Sequence, residues 1–466
     1  MSSLPRPAYV IARAVRALAT LSLGAAMAVS ASVSAFAQGV PVVRDAEIEA
    51  LVRDYARPIF KAAGLSNAGI QIILVNDPTF NAFVAGRRLF INTGALLQAE
   101  TPNEIIGVIA HECGHLAGGH QQRLRDQLER AKTMAIVAGL LGAGALAAGA
   151  ASNNRGLAGA GMGLATGGSE LARRSLLTYQ RGEETTADRS AITYLNATGQ
   201  SGKGMLKTFE RFQSALSLSG AQVDPYRISH PMPQDRIASL QTLVEKSPYF
   251  GKTDPAALQQ RHDMMRVKIS AFTQGQAATS RLLRKSPDPL AVQYGDAIST
   301  YLNGDPRSAL TKTDALVKKQ PKNPYFQELR GDILMKANKP ADAASAYAKA
   351  VSLDPVKSGL LPVSYGQALM AVGTPDALRK AVGQISSGLE RDRENVAGYR
   401  YLAQAYGELG EISKADLATA EGYYYGGAYQ DAKIFALRAQ RGLKQGEPGW
   451  VRAQDIINYR QAGKTK

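Results

Sequence analysis

The chain has 466 residues, of which 45% are apolar and 20% are charged. This composition excludes a mainly disordered or fibrous protein and leaves room for two or three folded domains with a sizeable core. The 55 Lys and Arg residues exceed the 39 Asp and Glu residues, which gives a net charge of +16. The surplus is +3 in residues 1–37, +3 in 38–250 and +10 in 251–466. A basic C-terminal part favours an acidic partner, an anionic surface or simply a solvated exterior. No zinc-knuckle, RNP or basic-helix pattern accompanies it, so we expect no nucleic-acid partner.

The N-terminus has the pattern of an export signal. Three arginines within the first 16 residues precede an apolar stretch over residues 17–29, and Ala35-Phe36-Ala37 is a small-x-small cleavage motif. The pattern predicts a signal peptide over 1–37, with a mitochondrial transit peptide as the alternative. Cys113 is the only cysteine, so no intrachain disulfide can form even in an oxidising compartment.

The first predicted elements of the mature chain are a helix and a small sheet. Apolar residues recur at helical spacing through residues 44–64, and Gly64 is placed to end that helix. Three short runs of strand-forming residues, 71–75, 82–85 and 88–92, predict a small antiparallel sheet. We expect the last of these strands at an exposed edge, where its backbone could pair with an extended peptide.

The next predicted helix contains an H-E-x-x-H motif, His111-Glu112-Cys113-Gly114-His115. The two histidines are four residues apart and therefore lie on one helical face, where both can bind one metal ion. Glu112 is offset toward a water molecule on that ion and is the candidate general base. Zinc suits such ligands. A surface helix with two titrating histidines is the alternative, but both follow an apolar run, where unpaired imidazoles are costly.

A catalytic metal site needs a third protein ligand and an open fourth position. One candidate is the extension H-E-x-x-H-x-x-G-x-x-H. Gly118 occupies its glycine position, but Gln121 stands where the histidine is expected. His120 is one residue early, and on a continuous helix it lies about 180° around from His111. We therefore expect His120 to point away from the ion, either behind its ligands or at the surface. The other candidate is a carboxylate from the acidic segment 181–189.

The segments 111–115 and 181–189 together resemble the HtpX-type gluzincin metallopeptidases, in which H-E-x-x-H is followed by E-x-x-A-D. Glu184 to Asp188 fits this pattern, with its alanine in place. The resemblance implies that Glu184 is the third zinc ligand, with the adjacent Glu183 as its rival. It also implies that Asp188 accepts a hydrogen bond from a ligating histidine and so fixes its tautomer.

A third segment, residues 229–236, resembles the H-P-x-x-x-x-R segment of the same family. The resemblance implies catalytic roles for His230 and Arg236. His230 could donate a hydrogen bond to the oxyanion or occupy the open coordination position as a removable inhibitor. An exposed turn histidine is the alternative. Arg236 would bind a substrate carbonyl or brace Glu184.

Residues 134–151 contain no charged side chain but consist largely of Ala and Gly, and a second Gly-rich stretch follows at 156–168. A bilayer span needs about 20 strongly apolar residues. The segment 134–168 is therefore compatible with three structures: a closely packed helical hairpin inside the domain, a hairpin that contacts a membrane peripherally, and a full transmembrane pair.

The C-terminal part repeats with a period of 34 residues. The repeated positions are Pro287, Pro321 and Pro355, together with the pairs Ala297 and Gly331 and Ala309 and Ala343. Small residues at such positions let the two helices of a hairpin approach closely. The pattern resembles the tetratricopeptide repeat family, whose stacked hairpins offer a concave surface to peptides or proteins.

These segments predict a mainly α protein. It would consist of an α+β catalytic domain with a small antiparallel sheet and an α-solenoid of tetratricopeptide repeats. The expected order is a signal peptide (1–37), a zinc metallopeptidase domain (38–250), a helical linker (251–286) and the repeats (287–466).

This architecture resembles the beta-barrel assembly-enhancing proteases of the bacterial periplasm. The resemblance implies a periplasmic endopeptidase with one zinc ion per chain. It would degrade misfolded or stalled outer-membrane proteins and assist their assembly, with these clients and the outer-membrane assembly machinery as partners. Two alternatives stay open: a chaperone or assembly adaptor that acts through its repeats with a latent peptidase, and a membrane-anchored quality-control peptidase.

Overall fold

The computed structural model describes residues 41–152, 154–219, 230, 234–284 and 288–460. The predicted signal peptide and Pro287 of the predicted repeats lie outside these residues. The described part is mainly helical with one small sheet, which confirms the predicted fold class.

The chain first forms a short strand, β1 (Val42–Val43), and then α1 (Ala46–Ala62). Asp45 caps α1 by accepting a hydrogen bond from the N–H of Ile48. Three further strands lie at the predicted positions. They are β2 (Gln71–Val75), β3 (Ala82–Ala85) and β4 (Arg88–Asn92).

The sheet is mixed, which corrects the expectation of an antiparallel sheet. Its strand order is β1-β2-β4-β3, and β2 and β4 are parallel. The connections between the strands give the reason. Residues 76–81 lead the chain from β2 to β3, which lies one strand position away and not beside β2. A tight turn at Gly86, with a φ of 60°, then places β4 between β3 and β2. The expectation of β4 as an edge strand is therefore also wrong. The edge strand next to the H-E-x-x-H helix is β3.

Six helices follow the sheet and build the candidate site. They are α2 (Thr93–Gln98), α3 (Pro102–Gly118), α4 (His120–Ala151), α5 (Arg155–Ala197), α6 (Lys203–Ser219) and α7 (Gln234–Glu245). Helix α3 is buried from Pro102 to His115. One core contains Leu51 of α1, Ile91 of β4, Ile109 of α3 and Leu195 of α5, so α3 is held between the sheet and the later helices.

Helix α4 and the first part of α5 pair as a long hairpin. Large apolar side chains of α4 face solvent: Ile136 is 63% exposed, Leu140 69% and Leu141 61%. Within the described residues, α4 is the helix whose length and composition would allow it to cross a membrane.

The predicted linker, 251–286, is helical where it is described. It contains α8 (Ala256–Thr273) and α9 (Gly275–Leu283). Met265 of α8 belongs to the core around α3, while Met264 belongs to the core of the following helices. Helix α8 therefore joins two cores through adjacent residues.

Five helical pairs make up the C-terminal part. They are α10 (Pro289–Leu302) with α11 (Pro306–Lys319), α12 (Pro324–Lys336) with α13 (Pro340–Leu353), α14 (Leu360–Val372) with α15 (Pro375–Arg391), α16 (Val396–Glu408) with α17 (Ile412–Tyr425), and α18 (Tyr429–Gln440) with α19 (Pro448–Asn458). Consecutive helices pack on one another throughout.

The repeated small residues are buried between the packed helices of this part. A β carbon on Gly331 of α12 would stand 2.7 Å from the Tyr347 ring of α13, and Ala297 and Ala309 are fully buried. This packing agrees with a solenoid, while the assignment to tetratricopeptide repeats stays a prediction. The helical stack also contacts the sheet, because Arg88 of β4 pairs with Glu394 at 2.9 Å.

Candidate metal centre

The site begins with a close crossing of α3 and α5. A β carbon on Gly114 would stand 2.9 Å from the backbone of Ala187, which is itself fully buried. The two helices can approach this far because both residues at the crossing are small. His115 follows the crossing on α3, and Glu184 precedes it by one turn on α5, so the helices bring these side chains together.

Four buried side chains point their donor atoms at one place: His111, His115, Glu184 and His230, with all donor atoms within 4.8 Å of one another. Nε2 of His111 lies 3.0 Å from Nε2 of His115 and 3.3 Å from Nδ1 of His230. The Glu184 oxygens lie 3.3 Å from each of these two Nε2 atoms. Nδ1 of His230 is 3.1 Å from Glu184 Oε1.

These separations fit a metal ion. Four donors at bond lengths of about 2.0 to 2.2 Å around a tetrahedral centre stand about 3.3 to 3.6 Å apart. The donor set is three imidazole nitrogens and one carboxylate, which suits a first-row divalent ion. The cluster could therefore hold one ion, with His230 in the fourth position that a catalytic site leaves open.

The charge of the metal-free cluster is set by its carboxylates. Burial acts to raise the pKa of Glu184, but hydrogen bonds from His111 and His115 outweigh burial and hold the pKa well below its usual value. Glu184 is therefore ionised and able to bind a cation. Burial acts to lower the pKa of His111, but hydrogen bonds to Asp188 and Glu184 raise it to about 9. Burial lowers the pKa values of His115 and His230.

Glu112 lies beside the cluster without belonging to it. The residue is 1% exposed, and neither carboxylate oxygen has a hydrogen bond within the described residues, although Nε2 of His230 is 3.3 Å from Oε1. Burial raises the pKa of Glu112 to about 7. A buried carboxyl with free acceptor capacity and a pKa near neutrality has the properties of a general base.

Asp188 and Arg236 form a layer behind the cluster. Oδ1 of Asp188 is 3.0 Å from Nδ1 of His111, the ring nitrogen that faces away from the cluster. Arg236 is 5% exposed, and its guanidinium contacts Asp188 Oδ1 at 2.9 Å and Glu184 Oε2 at 2.8 Å. Burial acts to raise the pKa of Asp188, but Arg236 and His111 lower it, so Asp188 is ionised.

His120 lies behind the metal-binding face of His115, which is one of the two places expected for it, and not at the surface. The residue is 4% exposed, and its Nδ1 is 2.9 Å from Nδ1 of His115. The helix does not continue as assumed: α3 ends at Gly118, and Gly119 adopts a left-handed conformation with a φ of 65°. The chain then restarts as α4, so the angle counted along a continuous helix no longer applies.

The structure thus brings seven of the predicted residues together: His111, Glu112, His115, Glu184, Asp188, His230 and Arg236. Glu183, the rival ligand, faces His120 instead, with Oε2 2.8 Å from Nε2. In the sequence, the contact between His120 and Glu183 is indicated by Gly118-Gly119, a pair of glycines that interrupts the helix just before His120.

An H-E-x-x-H helix and a glutamate from a second helix, converging on one buried cluster, define the class of the protein as a metalloprotease. Residues 43–244 match peptidase family M48, so the chain contains an M48 peptidase domain. The chain is 22% identical to the beta-barrel assembly-enhancing protease of Escherichia coli (strain K12) over 416 residues, which cover 87% of this chain and 81% of the relative. The protein of the same name from Yersinia pestis is 24% identical over 412 residues, covering 86% and 81%.

Proposed function

We propose that this metalloprotease is a zinc-dependent endopeptidase of the periplasm that degrades misfolded or stalled outer-membrane proteins and assists their assembly. The observation that carries the proposal is the buried set of His111, His115 and Glu184, with the buried carboxyl of Glu112 beside it, which accepts no hydrogen bond within the described residues. A bound Zn²⁺ would supply Lewis acidity and lower the pKa of a water molecule to about 7.

Three further side chains have separate roles in the proposed reaction. Glu112 takes a proton from the attacking water and passes it to the leaving amine. Asp188 holds the His111 tautomer that presents Nε2 to the ion. Arg236 contacts Glu184 and Asp188, so of its two predicted roles the contacts favour bracing the ligands.

His230 gives the site a resting state in which the peptidase is latent. Its Nδ1 takes the fourth position of the cluster, where substrate and water need to enter, so it has to leave before hydrolysis. This arrangement favours the removable inhibitor over the oxyanion donor. It also supports the second candidate function, an assembly adaptor that keeps its peptidase latent.

Hydrolysis of an unfolded β-barrel protein by the purified chain tests the catalytic proposal. We expect one Zn²⁺ per chain, cleavage that a chelator stops, and no cleavage by Glu112→Gln. His230→Ala should cleave faster than the parent if His230 blocks the site, and slower if it donates to the oxyanion. A parent chain that binds no zinc when purified without chelators would refute the proposal.

The client class and the location rest on other features. The named relatives are β-barrel assembly-enhancing proteases, and the helical pairs α10 to α19 provide a surface for protein clients. Fractionation of cells and N-terminal sequencing would test export and cleavage after Ala37. Cells that express Glu112→Gln separate the two functions: β-barrel assembly that continues at the parental rate without cleavage supports the adaptor.

A peripheral membrane contact through 134–168 is the remaining proposal. The exposed Ile136, Leu140 and Leu141 of α4 support it, because hydrocarbon would remove this apolar surface from water. Carbonate extraction separates peripheral contact from a transmembrane pair. Leu140→Asp should weaken binding to phospholipid vesicles, and vesicle binding equal to that of the parent would refute the contact.

A further inference from the structure

A chain of contacts runs behind His115, on the side opposite the metal cluster. Nδ1 of His115 is 2.9 Å from Nδ1 of His120, and Nε2 of His120 is 2.8 Å from Oε2 of Glu183. Arg123 completes the chain, with Nη2 2.8 Å from the same Glu183 oxygen. His115 and His120 are buried, while Arg123 reaches solvent with 51% of its side chain exposed.

The hydrogen-bonding capacities of these groups allow one consistent arrangement of protons. A neutral imidazole has one N–H and one acceptor nitrogen. When Nε2 of His115 binds a metal ion, the ring has to carry its proton on Nδ1, and it donates that proton to His120. His120 then accepts at Nδ1 and carries its own proton on Nε2, which lies 2.8 Å from the Glu183 carboxylate in a close charge contact without hydrogen-bond geometry.

The arrangement parallels the one behind the other histidine of the motif. Nδ1 of His111 faces Asp188, and Asp188 is held in turn by Arg236. Each histidine therefore has its own carboxylate and its own arginine. The difference is that His115 reaches Glu183 through an additional imidazole.

The backbone is shaped to admit this additional imidazole. A β carbon on Gly118 would stand 2.2 Å from Nε2 of His120, so the ring occupies the space that any other residue at 118 would fill. Gly119 adopts its left-handed conformation next to it and turns the chain so that His120 faces back toward His115.

We propose that His120 and Glu183 are positioning residues that hold the metal-binding tautomer and ring orientation of His115. The inference rests on the proposed metalloprotease function and deepens it. Partners of this kind behind a metal ligand typically change metal affinity by about 10- to 100-fold when they are removed. Their effect is therefore measurable on metal binding itself, without any substrate.

The test compares the dissociation constants of Zn²⁺ and Co²⁺ for the full metal-free chain and its variants, together with the Co²⁺ absorption spectrum. His120→Phe keeps an aromatic ring but cannot accept from His115, so we expect metal binding about 10- to 100-fold weaker and an altered spectrum. His120→Gln can accept with its carbonyl and donate with its amide, so it should restore much of the affinity.

Gly118→Ala keeps every polar group but displaces the His120 ring, and it should behave like His120→Phe. Gly139→Ala on α4, where nothing lies within 4 Å of the added carbon, is its control.

Glu183→Ala covers the case in which His120→Phe does not fold, because the Glu183 side chain is 17% exposed and tolerates truncation better. We expect weaker metal binding from this variant as well. The inference would be overturned if both His120→Phe and Glu183→Ala bound the metals with dissociation constants within twofold of the parent. If His120→Phe is unfolded, the same result for Glu183→Ala alone would overturn it. Either outcome would leave the proposed function intact. A parent chain that binds neither ion would instead refute the proposed function, and the positioning role with it.

Discussion

Gly114 and Ala187 bring the two metal-binding helices into backbone contact. A β carbon on Gly114 would stand 2.9 Å from both the α carbon and the carbonyl oxygen of Ala187. The contact lies between the histidines of α3 and the carboxylates of α5. The alanine of E-x-x-A-D and the glycine of this H-E-x-x-H motif thus determine how closely Glu184 approaches the histidines.

Gly114→Ala should therefore destabilise the protein. The added carbon would push α5 away, and such overpacking costs about 1–3 kcal/mol. In an open helix the same change stabilises by about 1 kcal/mol, because alanine is the better helix former. We expect a lower free energy of unfolding in denaturant titrations and weaker binding of Zn²⁺, since Glu184 moves with α5.

Gly182→Ala is the matched control for this prediction. Gly182 lies on α5, the helix that contains Ala187, and nothing is within 4 Å of the carbon that alanine adds. It should be neutral or slightly stabilising. If Gly114→Ala stabilised the chain as much as Gly182→Ala, the close crossing of α3 and α5 would be disproved.

Glu112→Gln should stabilise the metal-free chain while abolishing hydrolysis. Burial raises the pKa of Glu112 from 4.5 to about 7, so ionising it costs the folded state free energy. The penalty is absent below the unfolded pKa, grows between pH 4.5 and 7, and is complete above pH 7. A shift of this size corresponds to about 3 kcal/mol, which is an upper limit because the buried amide also lacks partners.

Thermal or denaturant unfolding at several pH values measures this effect. The difference between Glu112→Gln and the parent should be largest at pH 8 and should vanish near pH 4. A difference that is independent of pH would contradict the assignment of a raised pKa to Glu112.

The strand positions and the metal ligands show what the sequence allows to be predicted. The bounds of β2, β3 and β4 follow from local patterns and the turn at Gly86. Their pairing does not, because it depends on how residues 76–81 cross the sheet. In the site, H-E-x-x-H is local, whereas Glu184 and His230 required a family resemblance, since no local rule brings distant helices together.

The helical angle counted for His120 fails for a different physical reason, although the residue does lie behind a ligand. Angles along a helix hold only while the helix continues, and Gly119 ends α3 with a φ of 65°. Two adjacent glycines before a polar residue indicate that the helix can end there, so that the angle of about 100° per residue should not be counted past them. The contact between His120 and His115 then depends on the fold of α4, which periodicity alone does not give.

Arg236→Leu should destabilise the protein strongly, and Arg236→Lys less so. The planar guanidinium contacts two buried carboxylates, those of Glu184 and Asp188. Leucine leaves both without this cation, and removing one partner of a buried ion pair costs about 3–5 kcal/mol. Lysine keeps the charge but has no fork with which to reach both groups. Unfolding at pH 8 measures the loss, and equal stability of the Lys and Leu variants would contradict the bridging role.

Lys268→Met should weaken the attachment of the helical stack to the peptidase domain. Lys268 of α8 is 8% exposed and lies 2.7 Å from Asp45 Oδ2 and 3.1 Å from Glu47 Oε2, at the start of α1. Burial acts to lower the pKa of Lys268, but Asp45, Tyr294 and Glu47 raise it well above its usual value, so the amine is charged. Tyr294 of α10 donates a hydrogen bond to the same Glu47 oxygen at 2.7 Å.

Methionine preserves the length of the side chain but leaves Glu47 buried without a cation, at a cost of about 3–5 kcal/mol. The double variant Lys268→Met with Glu47→Gln also removes the charge of Glu47, the more buried of the two carboxylates, and should recover part of this loss, while Asp45 keeps its charge. Lys312→Met is the matched control, because Lys312 is 39% exposed and pairs with Asp296 at the surface, where a pair contributes about 0–1 kcal/mol. Calorimetry measures all three variants. Since α8 joins two cores, we expect the parent to unfold in one transition and Lys268→Met in two. A stability loss no larger than that of Lys312→Met would show that this buried lysine does not hold the two parts together.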